Sequence, residues 1–253
     1  MIPAENQGTL RQRLIFCIGM GLLFLSCQTV GYRPESSVPG ISPGKAVIDP
    51  VGLRLPATFK GTLPCADCEG IRYHLDLWPD GVFHLRQTYL GKSRFVDDRG
   101  RWDTDPSRTV ISLHGSREIL RQFEVKDPHT IRLLDQQGRP IQSSLPYELT
   151  SNGSLTPTDL SLELRGFFRY LADAARFEDC LTGRSYPISM EGDYILLERA
   201  YLETPKPESG APLMASFEGD IIGRPAMEGR VLTQKVVVRR FIGVWPGQRC
   251  DHR

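Results

Sequence analysis

Two cysteines separated by two residues, Cys65 and Cys68, are the side chains of this sequence best suited to chemistry. Thiolates at this spacing can form a disulfide, hold a soft ion such as Cu(I), or exchange disulfides with another protein. A structural zinc site needs four ligands, so the motif alone supplies half of one. Redox catalysis would place the first cysteine at the start of a helix, whereas Pro64 precedes it and a strand-like run follows Gly70. We therefore favour a structural, oxidised pair, keep Cu(I) contact as the alternative, and rank redox catalysis last.

The remaining cysteines predict a second disulfide that ends close to the carboxyl terminus. Once the two cysteines of the amino-terminal segment are set aside, four remain: Cys65, Cys68, Cys180 and Cys250. Four cysteines allow three pairings, and pairing by proximity joins Cys65 to Cys68 and Cys180 to Cys250. The second bond would close a 70-residue loop. Loop-closure entropy gives such a bond a stabilising effect of about 4 kcal/mol.

Other residue types that often carry catalysis form no recognisable site. The five histidines occur in no metal-binding spacing, and we expect them to be solvated or incidental: His74, His84, His114, His129 and His252. No Ser/His/Asp order, paired-acid motif or phosphate-binding glycine loop occurs in a suitable setting. A formal net charge of +1 gives no sign of a nucleic-acid partner. The sequence predicts a protein that is not an enzyme and requires no cofactor, with copper left open.

The amino-terminal residues are typical of a bacterial lipoprotein signal peptide. Arg11 and Arg13 are basic and precede a 12-residue apolar run, residues 14–25. This run is shorter than the ~20 residues that cross a bilayer. The small residue Ser26 follows it, and then Cys27. By this resemblance, cleavage leaves Cys27 as the lipid-modified first residue of a protein in the cell envelope, an oxidising compartment in which disulfides persist.

The residue after the modified cysteine predicts where such a lipoprotein is sorted. An aspartate at this position usually retains a bacterial lipoprotein at the inner membrane, whereas this chain has Gln28. We therefore expect a lipid anchor in the outer membrane, with the protein mainly facing the periplasm. After the signal (residues 1–26), residues 27–54 contain scattered Pro, Gly and Ser without a hydrophobic period and are interpreted as a tether. Coil statistics give it a reach of roughly 30 Å.

Residues 55–150 alternate between apolar and polar side chains as β-strands do. Every second side chain is apolar in residues 71–77, which predicts a strand with one buried face. Residues 78–81 then predict a hairpin turn, because Pro79 presets φ and Gly81 accepts positive φ. Seven or eight such strands indicate a small barrel or sandwich.

The second half of the chain predicts a different small barrel. Residues 151–159 are interpreted as a linker, and residues 160–253 contain about five strand-like runs interrupted by one helix. Asp193 is the expected N-cap of that helix, and Pro205 ends it. Its expected apolar stripe consists of Tyr194, Leu196, Leu197, Ala200 and Tyr201. Five strands around one helix favour an OB-like fold.

Two segments carry a specific resemblance to a known family. The first comprises residues 62–71, TLPCADCEGI, with 89–91, YLG, downstream. The second comprises residues 171–183, LADAARFEDCLTG, with 197–202, LERAYL, downstream. Together they resemble the NlpE family of envelope lipoproteins, also called CutF, over nearly the whole mature chain.

This resemblance implies a mainly β protein with a lipocalin-like N-terminal barrel and an OB-like C-terminal barrel. It places the C-terminal disulfide of the family on Cys180 and Cys250, and the family's CxxC on Cys65 and Cys68. It also implies copper homeostasis, adhesion and stress sensing, and activation of a Cpx-type two-component pathway through an inner-membrane sensor kinase.

Two rival functions remain at this point. The N-terminal barrel could carry an apolar ligand, because alternating strands do not reveal whether the interior is filled. A periplasmic redox protein using Cys65 and Cys68 is the weaker alternative. The sequence also leaves open whether the protein forms a homodimer.

Overall fold

The computed structural model describes residues 47–49, 51–107, 109–117, 119–171, 174–225 and 232–250. The predicted signal peptide, Cys27, Gln28 and most of the predicted tether lie outside the described residues. All described residues belong to one compact unit, Pro39–Arg253. Within this described part, no helix has the length and apolar character needed to cross a membrane.

The first barrel is an eight-stranded antiparallel meander. A two-stranded ribbon of β1 (Val47–Ile48) and β2 (Arg54–Leu55) precedes it. The barrel strands are β3 (Ala57–Leu63), β4 (Ile71–Leu77), β5 (Val82–Tyr89), β6 (Arg94–Thr104), β7 (Val110–Gly115), β8 (Arg121–Asp127), β9 (Thr130–Leu133) and β10 (Glu148–Thr150). Strands adjacent in the chain pair with one another, and β10 closes the barrel by pairing with both β9 and β3.

Side chains fill the interior of this first barrel. Inward positions alternate along each strand, and fully buried Phe59, Phe83 and Phe123 belong to one hydrophobic cluster. The predicted turn after β4 is present: the Trp78 N–H donates to the Val82 carbonyl at 3.0 Å, and Gly81 has a φ of +76°. The alternation read from the sequence thus corresponds to an interior packed with side chains.

The second barrel has five strands and one helix. Its elements are β11 (Leu160–Leu171), β12 (Ala174–Asp179), β13 (Ser185–Gly192), α1 (Tyr194–Glu203), β14 (Leu213–Pro225) and β15 (Leu232–Trp245). The barrel closes in the order β11-β12-β13-β15-β14, and β13 and β15 are parallel. The prediction of a mainly β fold with two barrels, the second containing one helix, is confirmed.

The helix lies where the sequence predicts it, but its N-cap and its buried face differ from the prediction. Tyr194, Leu197 and Tyr201 pack into the barrel core, whereas Leu196, predicted in the apolar stripe, is exposed. Asp193 occupies the N-cap position without capping the helix with its side chain. Its carboxylate instead accepts the Phe241 N–H at 3.0 Å, which ties the start of the helix to β15.

Candidate functional site

The CxxC motif forms a disulfide in the loop between β3 and β4. Cys65 and Cys68 are joined with their Cα atoms 5.3 Å apart, and both are partly exposed. The loop lies against the β5–β6 turn, because the Leu90 N–H donates to the Gly70 carbonyl at 2.9 Å. This contact joins the TLPCADCEGI and YLG segments in space. The loop leads into a strand, so the first cysteine is not at the start of a helix.

A carboxylate completes the group of potential ligands in this loop. Ligand atoms of Cys65, Asp67 and Cys68 all lie within 4.8 Å of one another. Lys92 donates to the Asp67 carboxylate at 2.5 Å, and this hydrogen bond together with the lysine charge lowers the pKa of Asp67. Two sulfurs suit Cu(I), but a disulfide offers no thiolate. The loop therefore fits a copper ion only after reduction.

The second disulfide joins Cys180, just after β12, to Cys250, just after β15. The Cys180 N–H donates to the Arg165 carbonyl at 3.0 Å, and the Arg165 guanidinium donates to the Gln248 side chain at 2.6 Å. The last described residues are therefore held to the barrel by one covalent bond and one side-chain contact. A cleft of about 550 Å³ has Cys180, Arg165 and Arg101 among its lining residues, and both cysteines are partly exposed.

Ion pairs join the two barrels: the Arg99–Asp179 pair is buried, and Asp80 of the Arg184–Asp80 pair is half exposed. We call the contact between the outer face of β4–β6 and the strands β12, β13 and β15 the barrel junction. Arg99 of β6 donates twice to the Asp179 carboxylate, at 3.1 and 2.5 Å, and both side chains are at most 5% exposed. Asp179 also accepts the backbone and side-chain donors of Thr182. Arg184 donates to Asp80 at 2.9 and 2.7 Å and lies over the Trp78 ring.

A third ion pair extends the barrel junction toward the start of the second barrel. Arg86 donates to the Asp97 carboxylate at 2.7 and 2.6 Å, and this hydrogen bonding raises the pKa of Arg86. The same carboxylate accepts the Ser161 N–H at 2.7 Å. Asp97 thereby connects β5 and β6 to the start of β11.

The segment predicted as a linker follows the first barrel closely. The buried Asp76 carboxylate accepts the Thr58 hydroxyl at 2.5 Å and the Thr158 N–H at 2.9 Å. The Thr156 carbonyl lies 2.8 Å from His74 Nε2. Hydrogen bonds from residues 151–159 to β3 and β4 thus hold the connection between the barrels against the first barrel.

His84 contradicts the prediction that all five histidines are solvated or incidental. It is fully buried in the barrel junction, with its ring 4.5 Å from that of Trp78. Its Nε2 lies 3.5 Å from the Tyr186 hydroxyl and its Nδ1 3.3 Å from Gln234 Nε2. Burial lowers the pKa of His84 well below its ordinary value, and the Arg184 and Arg99 charges lower it further. Burial also raises the pKa of Tyr186 to about 12.

Sequence reasoning missed the barrel junction for a physical reason. Alternation assigns His84, Asp76 and Arg99 to the outer face of the first barrel, but it cannot tell a solvated outer face from one covered by another barrel. One residue of the barrel junction did lie in a segment singled out from the sequence: Asp179 directly precedes Cys180 in LADAARFEDCLTG.

Comparisons with known proteins cover both barrels. Residues 59–144 match the family described as NlpE N-terminal domain, and residues 158–251 match the NlpE C-terminal OB domain. The chain is 33% identical over 231 residues to lipoprotein NlpE of Escherichia coli strain K12, covering 88% of this chain and 91% of that protein.

Two solved structures are also similar to the chain. The crystal structure of the Cpx pathway activator NlpE from Escherichia coli is 28% identical in sequence to this chain. The match covers 79% of this chain and 100% of that chain, with a TM-score of 0.34. A Shewanella oneidensis protein described as a lipoprotein is 32% identical in sequence. The match covers 40% of this chain and 93% of that chain, with a TM-score of 0.36.

Proposed function

This chain belongs to the NlpE family, and on that premise we propose that it is an outer-membrane lipoprotein that reports envelope stress and surface adhesion by activating a Cpx-type two-component pathway. The observation that carries the proposal is the match of both domains, at 33% identity across most of the chain, to a family whose Escherichia coli relative is described as the Cpx pathway activator.

Location is the first signal in this proposal. Acylation of Cys27 would hold the barrels at the outer membrane, out of reach of an inner-membrane sensor kinase. Failed sorting would leave the same barrels at the inner membrane beside that kinase. Tethering then raises the effective concentration of the two proteins without any new contact.

Replacing Gln28 by Asp is expected to retain the protein at the inner membrane and to raise expression of a Cpx reporter several-fold without added stress. Membrane fractionation measures the location, and a reporter strain without its own family member measures signalling. Gln28→Asn is the matched control and should remain at the outer membrane with basal signalling. An inner-membrane form that gives basal signalling would refute the location mechanism.

The C-terminal disulfide is the second signal. Cys180 lies beside a cleft and directly after Asp179, which binds the first barrel through Arg99. Loss of the bond would release the end of the chain and loosen the second barrel, exposing strand edges to a partner. When disulfide formation fails in the envelope, the loosened second barrel would thus bind and activate the kinase.

Copper is the third element of the proposal. After reduction, the sulfurs of Cys65 and Cys68 would hold Cu(I), with Asp67 as a neighbouring carboxylate of minor importance, because thiolates are the softer ligands. In a Cys180→Ser/Cys250→Ser background, which removes the other pair of thiols that reduction would free, the reduced chain should bind Cu(I) in competition with a chelator, and adding Cys65→Ser/Cys68→Ser should abolish this binding. Asp67→Asn is the control and should retain it. Binding that survives the double substitution would remove the copper assignment.

The interior of the first barrel does not favour the carrier alternative. Phe59, Phe83 and Phe123 are fully buried within one cluster, where an apolar ligand would have to lie. The position of the CxxC loop likewise does not favour a disulfide oxidoreductase, because the motif precedes a strand. Native mass spectrometry for a co-purified lipid and an insulin-reduction assay test these two alternatives.

A further inference from the structure

We propose that His84 is an acid-sensitive lock between the two barrels: its neutral imidazole holds the barrel junction closed, and its protonation separates the barrels. This proposal concerns the contact between the barrels and does not depend on the signalling role.

Hydrogen bonding determines which nitrogen of His84 carries the proton. Arg184 Nη1 donates to the Gln234 side-chain carbonyl oxygen at 3.4 Å, so the Gln234 amide nitrogen faces His84 Nδ1, at 3.3 Å. This amide nitrogen is only a donor, and His84 Nδ1 must accept from it. The Nε2–H is then left to donate to the Tyr186 hydroxyl at 3.5 Å. A proton added at Nδ1 would meet a donor instead of an acceptor.

The charges that face His84 make an imidazolium still less favourable. Arg99 and Arg184 are the cations near the ring, and both lower its pKa. The nearby carboxylates, Asp179 and Asp80, already receive two hydrogen bonds each from these arginines. On the strand of His84 itself, the next outward residue is Arg86, a further cation, which is bound to Asp97. Asp179 and Asp80 are therefore engaged by guanidinium groups, whereas Asp76, the cross-strand neighbour of His84, accepts from Thr58 and Thr158 and lies beside His74.

A second histidine, His74, lies on the same face. His74 Nε2 lies 3.3 Å from the buried Asp76 carboxylate and 2.8 Å from the Thr156 carbonyl. Both contacts lie beside the barrel junction, so His74 is a second ionisable group on this face. Its contribution can be removed by substitution with glutamine, so that the effect of His84 is measured alone.

The direction of the pH dependence follows from these contacts. With the barrels apart, His84 would be solvated and titrate near the ordinary histidine pKa of about 6.5. Closure lowers that pKa, so closure releases a proton. The closed junction is therefore fully favoured above about pH 6.5, and its equilibrium constant falls up to tenfold for each pH unit below that value.

Hydrogen exchange of the full-length chain in detergent, corrected for the intrinsic effect of pH, tests the lock between pH 7.5 and 5.5. In the His74→Gln background, a peptide covering residues 156–161, whose Thr158 and Ser161 N–H groups donate to carboxylates of the first barrel, should lose up to tenfold protection at pH 5.5, while peptides from β8 and β9 should not. Adding His84→Gln, which stays neutral, should abolish the change. Adding His114→Gln, which replaces an exposed histidine, should leave it unaltered.

Two results would overturn the lock: equal protection of residues 156–161 at both pH values, or the same loss of protection in the His84→Gln variant. If that variant is already open at pH 7.5, nitrogen-15 NMR of the histidines in the unsubstituted chain decides. Proton uptake by His84 that coincides with opening supports the proposal. A charged His84 in a closed junction refutes it.

Discussion

Replacing Arg99 by alanine is expected to destabilise the protein by about 3–5 kcal/mol, because it leaves the Asp179 carboxylate buried without its counter-ion. Asp179 is fully buried and receives both guanidinium donors of Arg99 across the barrel junction. The two Thr182 donors would remain, but they carry no positive charge. Urea denaturation followed by tryptophan fluorescence measures the loss, and the second barrel should unfold at lower urea than the first.

The matched control removes an arginine from an exposed ion pair. Arg240 pairs with Glu218 on the outside of the second barrel, where both side chains are about half exposed. Arg240→Ala should therefore leave the urea midpoint unchanged, since solvent screens such a pair. The double variant Arg99→Met/Asp179→Leu should recover part of the lost stability, because it removes both buried charges. An Arg99→Ala protein as stable as the Arg240→Ala protein would show that the pair does not hold the barrels together.

Replacing Cys180 by alanine is expected to cost about 4 kcal/mol of stability and to raise Cpx signalling without added stress. The bond closes a loop with a sequence separation of 70, so its loss increases the entropy of the unfolded chain. In the folded state, the Arg165 contact to Gln248 would be left to hold the end of the chain. Thermal denaturation and a Cpx reporter measure the two effects.

The controls separate loss of the bond from other effects of a free thiol. Cys180→Ala/Cys250→Ala removes both sulfurs and should behave as the single variant does. Cys65→Ala/Cys68→Ala opens a bond with a sequence separation of 3, so its effect on stability should be smaller. Basal signalling from the Cys180→Ala protein at normal abundance would count decisively against a sensor role for this disulfide.

Features encoded by neighbouring residues could be predicted before the structure was known. The turn at residues 78–81 depends on the conformational preferences of Pro79 and Gly81. The strand of residues 71–77 depends on a two-residue alternation, and the helix of residues 194–203 on an apolar stripe and a following proline. These signals act over a few residues, so a single sequence contains them in full.

The sequence by itself determined the two β domains, the helix between strands of the second, and the four cysteines available for pairing. Only the tertiary structure decided that the polar outer face of the first barrel is a contact surface. The interactions of that surface join residues far apart in the chain, with separations of 80 for Arg99 and Asp179 and 150 for His84 and Gln234. No local period encodes such distances, because burial of a polar face depends on how two independently closed barrels meet.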